Sequence, residues 1–96
     1  MTLNELKAIQ LAELFSALSD ANRVRIISTL LEKEMNVSDI AEKTQMSESA
    51  VSHQLRGLRQ MRLIRGRKSG RQVFYSLDDD HVKKLYLMGL DHVKHG

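Results

Sequence analysis

A chain of 96 residues with 42% apolar and 28% charged side chains and no cysteine makes one folded domain, and a domain so small buries only about 60–65% of the surface its unfolded state exposes, so pairing with a second copy would remedy a modest monomer stability. No apolar run nears the roughly 20 residues of a membrane span and none reads as an export signal, while the missing cysteines exclude disulfides, thiolate metal sites and a cysteine nucleophile; the cytoplasm fits best. The net charge of +3 is uneven: residues 1–48 and 78–96 hold more acidic than basic side chains, whereas Ser49–Leu77 carries Arg56, Arg59, Arg62, Arg65, Arg67, Lys68 and Arg71 without an Asp or Glu. A basic run is most often a solvated face, but acidic flanks on both sides favour a surface that binds a polyanion.

Leu3, Leu6, Leu11, Leu14, Phe15 and Leu18 recur at helical spacing and predict a first helix over about residues 3–18. Ser19 and Asp20 supply N-cap acceptors for a second, whose apolar face of Val24, Ile26, Ile27, Leu30 and Leu31 runs to about Glu34. A short third helix starts after Asn36 or at Ser38, with Val37, Ile40 and Ala41 turned inward and Asp39 near its N-terminus. After a break at Gln45 and Met46, Ser47 caps a fourth, with Ala50, Val51, Leu55 and Leu58 inward. Short helix, turn, second helix is the helix-turn-helix pattern.

From Leu63 the periodicity becomes strand-like. Ile64, Val73, Phe74 and Tyr75 flank the turn signal Lys68–Arg71 and predict a hairpin of about 63–67 and 72–77. Asp78, Asp79 and Asp80 then open a last helix over about 80–94, carrying Val82, Leu85, Leu87, Met88 and Leu90. The order ααααββα is that of a single winged helix-turn-helix domain over 1–96, mainly α with a β-hairpin wing, and dimerisation is expected through its first and last helices.

A helix reads the major groove when short hydrogen-bonding side chains lie near its N-terminus and long cations near the phosphates. The fourth helix offers Ser47, Glu48, Ser49, Ser52, His53 and Arg56 away from its apolar face, with Ser49, Ser52 and His53 placed to reach base edges. Glu48 can accept from a cytosine amino group or simply complement the helix dipole. Arg65, Arg67, Lys68 and Arg71 on the hairpin suit the DNA backbone or an adjacent minor groove. Neighbouring Ser52 and His53 point about 100° apart on a helix, too far for a nucleophile to be activated, so neither an enzyme nor a small organic substrate is indicated.

Asp79, His81, His92 and His95 are the donors of a nitrogen- and oxygen-ligated tetrahedral site. His81 and His92 share a face but stand about 16 Å apart along one helix, too far for a single ion. Antiparallel packing of two such helices about a two-fold axis near residue 87, with Leu85 and Met88 in the seam, brings Asp79 and His81 of one protomer to His92 and His95 of the other and makes two equivalent sites per dimer. Three nitrogens and one carboxylate favour Zn(II) and also suit Co(II). Taken singly, surface histidines near a C-terminus can equally serve the helix dipole.

These stretches, LFSALSDANRVRIISTL (14–30), VSDIAEKTQMSESAVSHQLRGLRQMRLIRGRKSGRQVFYSL (37–77), and DDDHV with DHVKH (78–82, 91–95), resemble the ArsR/SmtB family of metal-responsive repressors, most closely its zinc and cobalt sensors with a site on the last helix. The serine-rich VSHQLxxL motif is the more specific for the recognition helix, and DxH followed by HxxH for the metal class. The resemblance implies an apo homodimer on a palindromic double-stranded DNA operator, released when metal binds. It also implies a relay in which His92 uses its second ring nitrogen to reach a backbone carbonyl near Arg62, just after the recognition helix. Three departures stand out: Asp20-Ala21 replaces the family's Asp-Pro, Gln45 replaces a frequent glycine and so implies a tighter or strained turn, and helix three has no cysteine. Neither Met1-Thr2-Leu3 nor the stretch before Gly96 carries the histidine-bearing tail of nickel-sensing relatives. Two other functions fit the same residues: a repressor of this family not regulated by metal, and a metal-buffering dimer that binds nucleic acid incidentally.

Overall fold

The computed structural model describes residues 2–95, with Met1 and Gly96 outside them. The chain runs α1 (Glu5–Ala17), α2 (Ala21–Leu30), α3 (Val37–Thr44), α4 (Glu48–Gln60), β1 (Ile64–Ser69), β2 (Gln72–Leu77) and α5 (Asp80–His95), the ααααββα order of a winged helix-turn-helix. Side-chain caps fix where the first four helices begin. Asn4 accepts from the Lys7 amide at 2.8 Å, Asp20 from Arg23 at 3.1 Å, Asn36 from Asp39 at 2.8 Å and Ser47 from Ala50 at 3.1 Å, each satisfying an amide that has no partner within its helix.

Helix α2 ends at Leu30, short of the expected Glu34. The reason is long-range. Met35 exchanges backbone hydrogen bonds with Tyr75 at 3.0 and 2.8 Å, an isolated antiparallel bridge on the outer edge of β2, and residues 31–34 leave the helix to bring it there. In the hairpin, Ile64 faces Leu77 and Ser69 faces Gln72. Lys68 and Ser69 thus belong to β1, and the loop shrinks to Gly70 and Arg71, with Gly70 at φ 63°, a left-handed backbone that glycine adopts without a Cβ penalty.

The core gathers Ile26, Ile27 and Leu30 of α2, Ile40 of α3, Val51, Leu55 and Leu58 of α4, and Met35, Leu63, Ile64 and Val82. Val24 and Ala50, both expected inward, are exposed instead. Helix α1 buries only Ala17 and leaves Leu6, Ile9, Leu11 and Phe15 in solvent; α5 buries only Val82 and leaves Leu87, Met88 and Val93 out. Between them lies an apolar groove of about 490 Å³ lined by residues such as Phe15, Leu18, Ile27, Tyr86, Leu90 and Val93. Among the described residues no helix is long and apolar enough to cross a membrane.

The turn of the helix-turn-helix closes on Gln45, at φ 57° and ψ 31°. Its amide bonds to the Glu42 carbonyl at 3.4 Å and that of Met46 to Ala41 at 3.2 Å, the paired bonds of a left-handed helix ending that glycine usually supplies. The strain expected at this position is therefore a left-handed backbone on a residue with a side chain. From the α2 side, the Arg25 guanidinium donates to the Thr44 carbonyl and fixes the end of α3. Replacing Gln45 by Gly removes a Cβ penalty of about 1–2 kcal/mol but adds unfolded-chain entropy, so Gln45→Gly gains about 0.5–1 kcal/mol and Gln45→Val loses stability. Urea denaturation of the three proteins reads both changes.

Candidate DNA interface and metal half-sites

Helix α4 is amphipathic by construction. With Val51, Leu55 and Leu58 buried, Glu48, Ser49, His53 and Arg56 are exposed and Ser52 is half-buried. Ser47 sits at the head of the same surface, its oxygen occupied as the N-cap. A third side of α4, not distinguished in the sequence, bears Gln54 and Gly57 against α2. The Arg23 Nε donates to Gln54 at 2.9 Å, and a Cβ on Gly57 would stand 3.1 Å from an Arg23 terminal nitrogen.

On the wing, Arg71 stands in the loop, Lys68 pairs across from Val73, Arg65 from Ser76 and Arg67 from Phe74. All four are exposed, but they are not equally free. Arg67 forms an ion pair with Glu34, its Nε lying 3.3 Å from the second carboxylate oxygen, and its guanidinium sits 5.3 Å from the centre of the Phe74 ring. The hydrogen bond from Arg67 holds the Glu34 carboxyl below its ordinary range against the opposing effect of burial, with the charges of Arg67 and Arg65 adding to it; Glu34 in turn raises Arg67. The pair persists as pH falls until it passes through the lowered Glu34 pKa. Thirty-three positions separate the partners, so local patterning carries no sign of it.

At the start of α5, the two oxygens of Asp79 do different work. One accepts from the amides of His81 at 2.9 Å and Val82 at 3.3 Å, which caps the helix; the other lies 3.4 Å from His81 Nδ1. Burial acts to raise the Asp79 pKa, but the bonds from Val82 and His81 outweigh it and the net direction is down, so the group is a carboxylate at neutral pH. Two donors 3.4 Å apart fit the edge of a tetrahedron around zinc, about 3.3–3.4 Å for bonds of roughly 2.0–2.1 Å. Asp79 and His81 are brought together; His92 and His95 lie in the last turn of the same helix. Among the described residues no group of three or more His, Cys, Asp or Glu side chains converges.

Asp91, which the sequence reading passed over, holds His95. Its carbonyl lies 2.8 Å from His95 Nδ1 and its carboxylate 3.2 Å from the same nitrogen, an arrangement that leaves Nε2 free; the i, i+4 spacing was the available signal. His81, Leu85, Met88, His92 and His95 recur at steps of four and three along one stripe of α5, and at its middle Met88 is 73% exposed. Arg62, past the end of α4, has φ 59°, and the amides of Arg62 and Leu63 bond to Arg59 and Leu58, both at 3.0 Å. That turn joins α4 to the wing.

Helix-turn-helix, basic wing and an outward polar face on α4 together define a DNA-binding protein of the winged-helix class. Residues 20–65 match the family described as bacterial regulatory protein, arsR family. A transcriptional repressor SmtB homolog of Synechocystis is 51% identical over 88 residues, 92% of this chain and 67% of that protein. A CadC homolog of Staphylococcus aureus, a cadmium resistance transcriptional regulatory protein, is 45% identical over 78 residues, 80% of this chain and 64% of its own length. The fold also superimposes on the homodimeric winged helix-turn-helix DNA-binding domain of a possible ArsR-family regulator from Mycobacterium bovis, with TM-score 0.85, 25% identity and coverage of 98% and 90% of the two chains. The chain belongs to the ArsR/SmtB family of metal-responsive repressors, and so is a transcriptional regulator, not an enzyme.

The Glu34 pair sets an expectation for DNA affinity. In Glu34→Gln the Arg67 guanidinium is released toward the phosphates; affinity for duplex DNA rises at low salt, and the slope of log affinity against log salt steepens by up to about 0.9 per protomer. Fluorescence anisotropy at several salt concentrations measures both.

Proposed function

We propose that the chain works as a homodimer that represses transcription from a palindromic operator in its metal-free form and leaves DNA when Zn(II), or Co(II) as its close substitute, is bound. Asp79 and His81 of one protomer, with His92 and His95 of the partner subunit, would hold each ion, two per dimer. The observation that carries this reading is the Asp79–His81 pair at tetrahedral-edge spacing at one end of α5, with two more imidazoles on the same stripe at its other end and an exposed apolar stretch between them. Antiparallel pairing of α5 with its copy covers Met88 and completes both half-sites at once. Helix α1, with Leu6, Ile9 and Phe15 exposed, extends the same interface. The homodimeric relative and the cadmium resistance regulator support the two halves of the proposal, assembly and metal response. A donor set without sulfur points to zinc or cobalt rather than a soft thiolate-binding metal.

On DNA, Ser49, Ser52 and His53 face base edges, with Ser47 and Glu48 at the mouth of the groove. Arg56, Arg65, Lys68 and Arg71 meet phosphates, and Arg67 joins them when it leaves Glu34. When bound, the metal supplies a fixed positive centre that orients imidazoles. The chain's own contribution would be the second ring nitrogen of His92, which in this reading reaches the backbone carbonyl of Arg62 in the turn that joins α4 to the wing. A change of 10⁴ in operator affinity requires a coupling of about 5.5 kcal/mol.

Titration of the purified dimer with Co(II), followed by visible absorption, should saturate at two tetrahedral ions per dimer, and zinc should then weaken operator binding. His92→Ala should keep operator affinity in the metal-free state and lose the zinc response. Imidazoles bind metal only when neutral, so affinity for zinc should fall on acidification. An operator complex indifferent to micromolar zinc would reject metal control and leave the repressor.

A further inference from the structure

Helix α2 is tied to every other helix by a directional polar contact. Near its N-terminus, Arg23 donates to Gln54 of α4 at 2.9 Å and to the carbonyl of Ala17, the last residue of α1, at 3.3 Å. Two residues further along, Arg25 holds the Thr44 carbonyl at the end of α3. On the other side, the Tyr86 hydroxyl of α5 donates to Ser28 Oγ at 2.9 Å, across 58 positions of sequence. Among the described residues, apart from the Asp79 cap on its first turn, it is the one side-chain hydrogen bond between α5 and the rest of the domain.

Beside this bond α2 and α5 turn apolar residues toward each other: Ile27 and Val82 belong to the core, and Leu90 joins them in lining the groove. Dispersion and burial resist separation of two helices but tolerate a small slide or roll, whereas a hydrogen bond of 2.9 Å fixes one against the other. Tyr86 stands between His81 and His92 in the sequence, on the helix that carries both candidate half-sites. Ser28 and Arg23 are five residues apart on α2, about 7.5 Å along its axis. A movement of α5 is therefore delivered to a rigid element whose other polar contacts grip both helices of the DNA-reading unit.

We propose that Tyr86 is a positioning residue for regulation. Its hydroxyl bond to Ser28 couples the metal-bearing helix to α4 through α2 and the Arg23–Gln54 contact, a second route beside the one at Arg62. The inference rests on the metal-responsive repressor reading above. Removing one oxygen from Tyr86 leaves the ring to fill the groove, so the fold and both half-sites keep their parts while the directional link is lost.

The test is the zinc-induced loss of operator affinity in wild type, Tyr86→Phe, Ser28→Ala and the double variant, with zinc affinity of the free dimer and metal-free operator affinity measured for each. Both single variants should keep the metal-free operator affinity and two zinc ions per dimer, yet show a zinc effect smaller by roughly three- to tenfold, the size of one neutral hydrogen bond. The double variant should be no worse than either single one, because both remove the same bond. Linkage requires an equal reduction when zinc affinity is compared with and without operator. Zinc effects equal to wild type in both variants, or two losses that add, overturn the proposal while leaving metal control intact. A wild-type complex that ignores zinc overturns metal control and this inference together. Should Tyr86→Phe fail to fold, Ser28→Ala decides alone.

Discussion

Helix α2 has to satisfy several neighbours at once, and that constraint organises the domain. Its buried residues Ile26, Ile27 and Leu30 meet the inward faces of α3 and α4, while Arg23 and Arg25 bond to α4, the end of α1 and the end of α3. An apolar contact alone would leave the helix-turn-helix free to rock. Among the described residues the two arginines have no acidic partner; they spend their donors on carbonyls and side-chain amides instead, and so fix the angle at which α4 is presented. Gly57 belongs to the same arrangement, since a side chain there would crowd the Arg23 guanidinium.

Most of the architecture is legible in the sequence because it is written locally. Asp20, Asn36 and Ser47 are caps whose effect extends three residues, and the apolar spacing of α4 and the Ser-Gly turn of the hairpin are equally short-range. What escapes is what joins distant segments. The bridge from Met35 to Tyr75 cuts α2 short, Glu34 captures Arg67, and Arg23 reaches Gln54; in each case a tertiary partner overrides local periodicity. The exposed Ala50 and Val24 show the converse, since small or branched apolar residues at core spacing reach the core only where a neighbour covers that stripe. At the candidate metal site, the pairing of Asp79 with His81 follows from their separation of two. The i, i+4 spacing of Asp91 and His95 allows their pairing, but that the Asp91 carbonyl and carboxylate both meet Nδ1 is seen only in the geometry.

Asp79 illustrates how one side chain serves stability and chemistry without conflict. A carboxylate has two oxygens, and here the one that caps α5 is not the one that faces His81. The cap pre-orients the other oxygen before any ligand arrives, so ordering a flexible acid adds little to the entropy of binding. Substituting Asn would preserve much of the cap and remove the charge, which separates the two roles.

The apolar residues left in water on α1 and α5 bear on how such a protein behaves in small numbers. A lone chain with Leu6, Phe15, Met88 and Val93 exposed is a poor resting state, and its folding free energy is inseparable from that of association. Where most chains are unpaired, the amount of paired protein grows as the square of total chain concentration. The paired form would then fall more steeply than the protein itself as the cell dilutes the chain through growth.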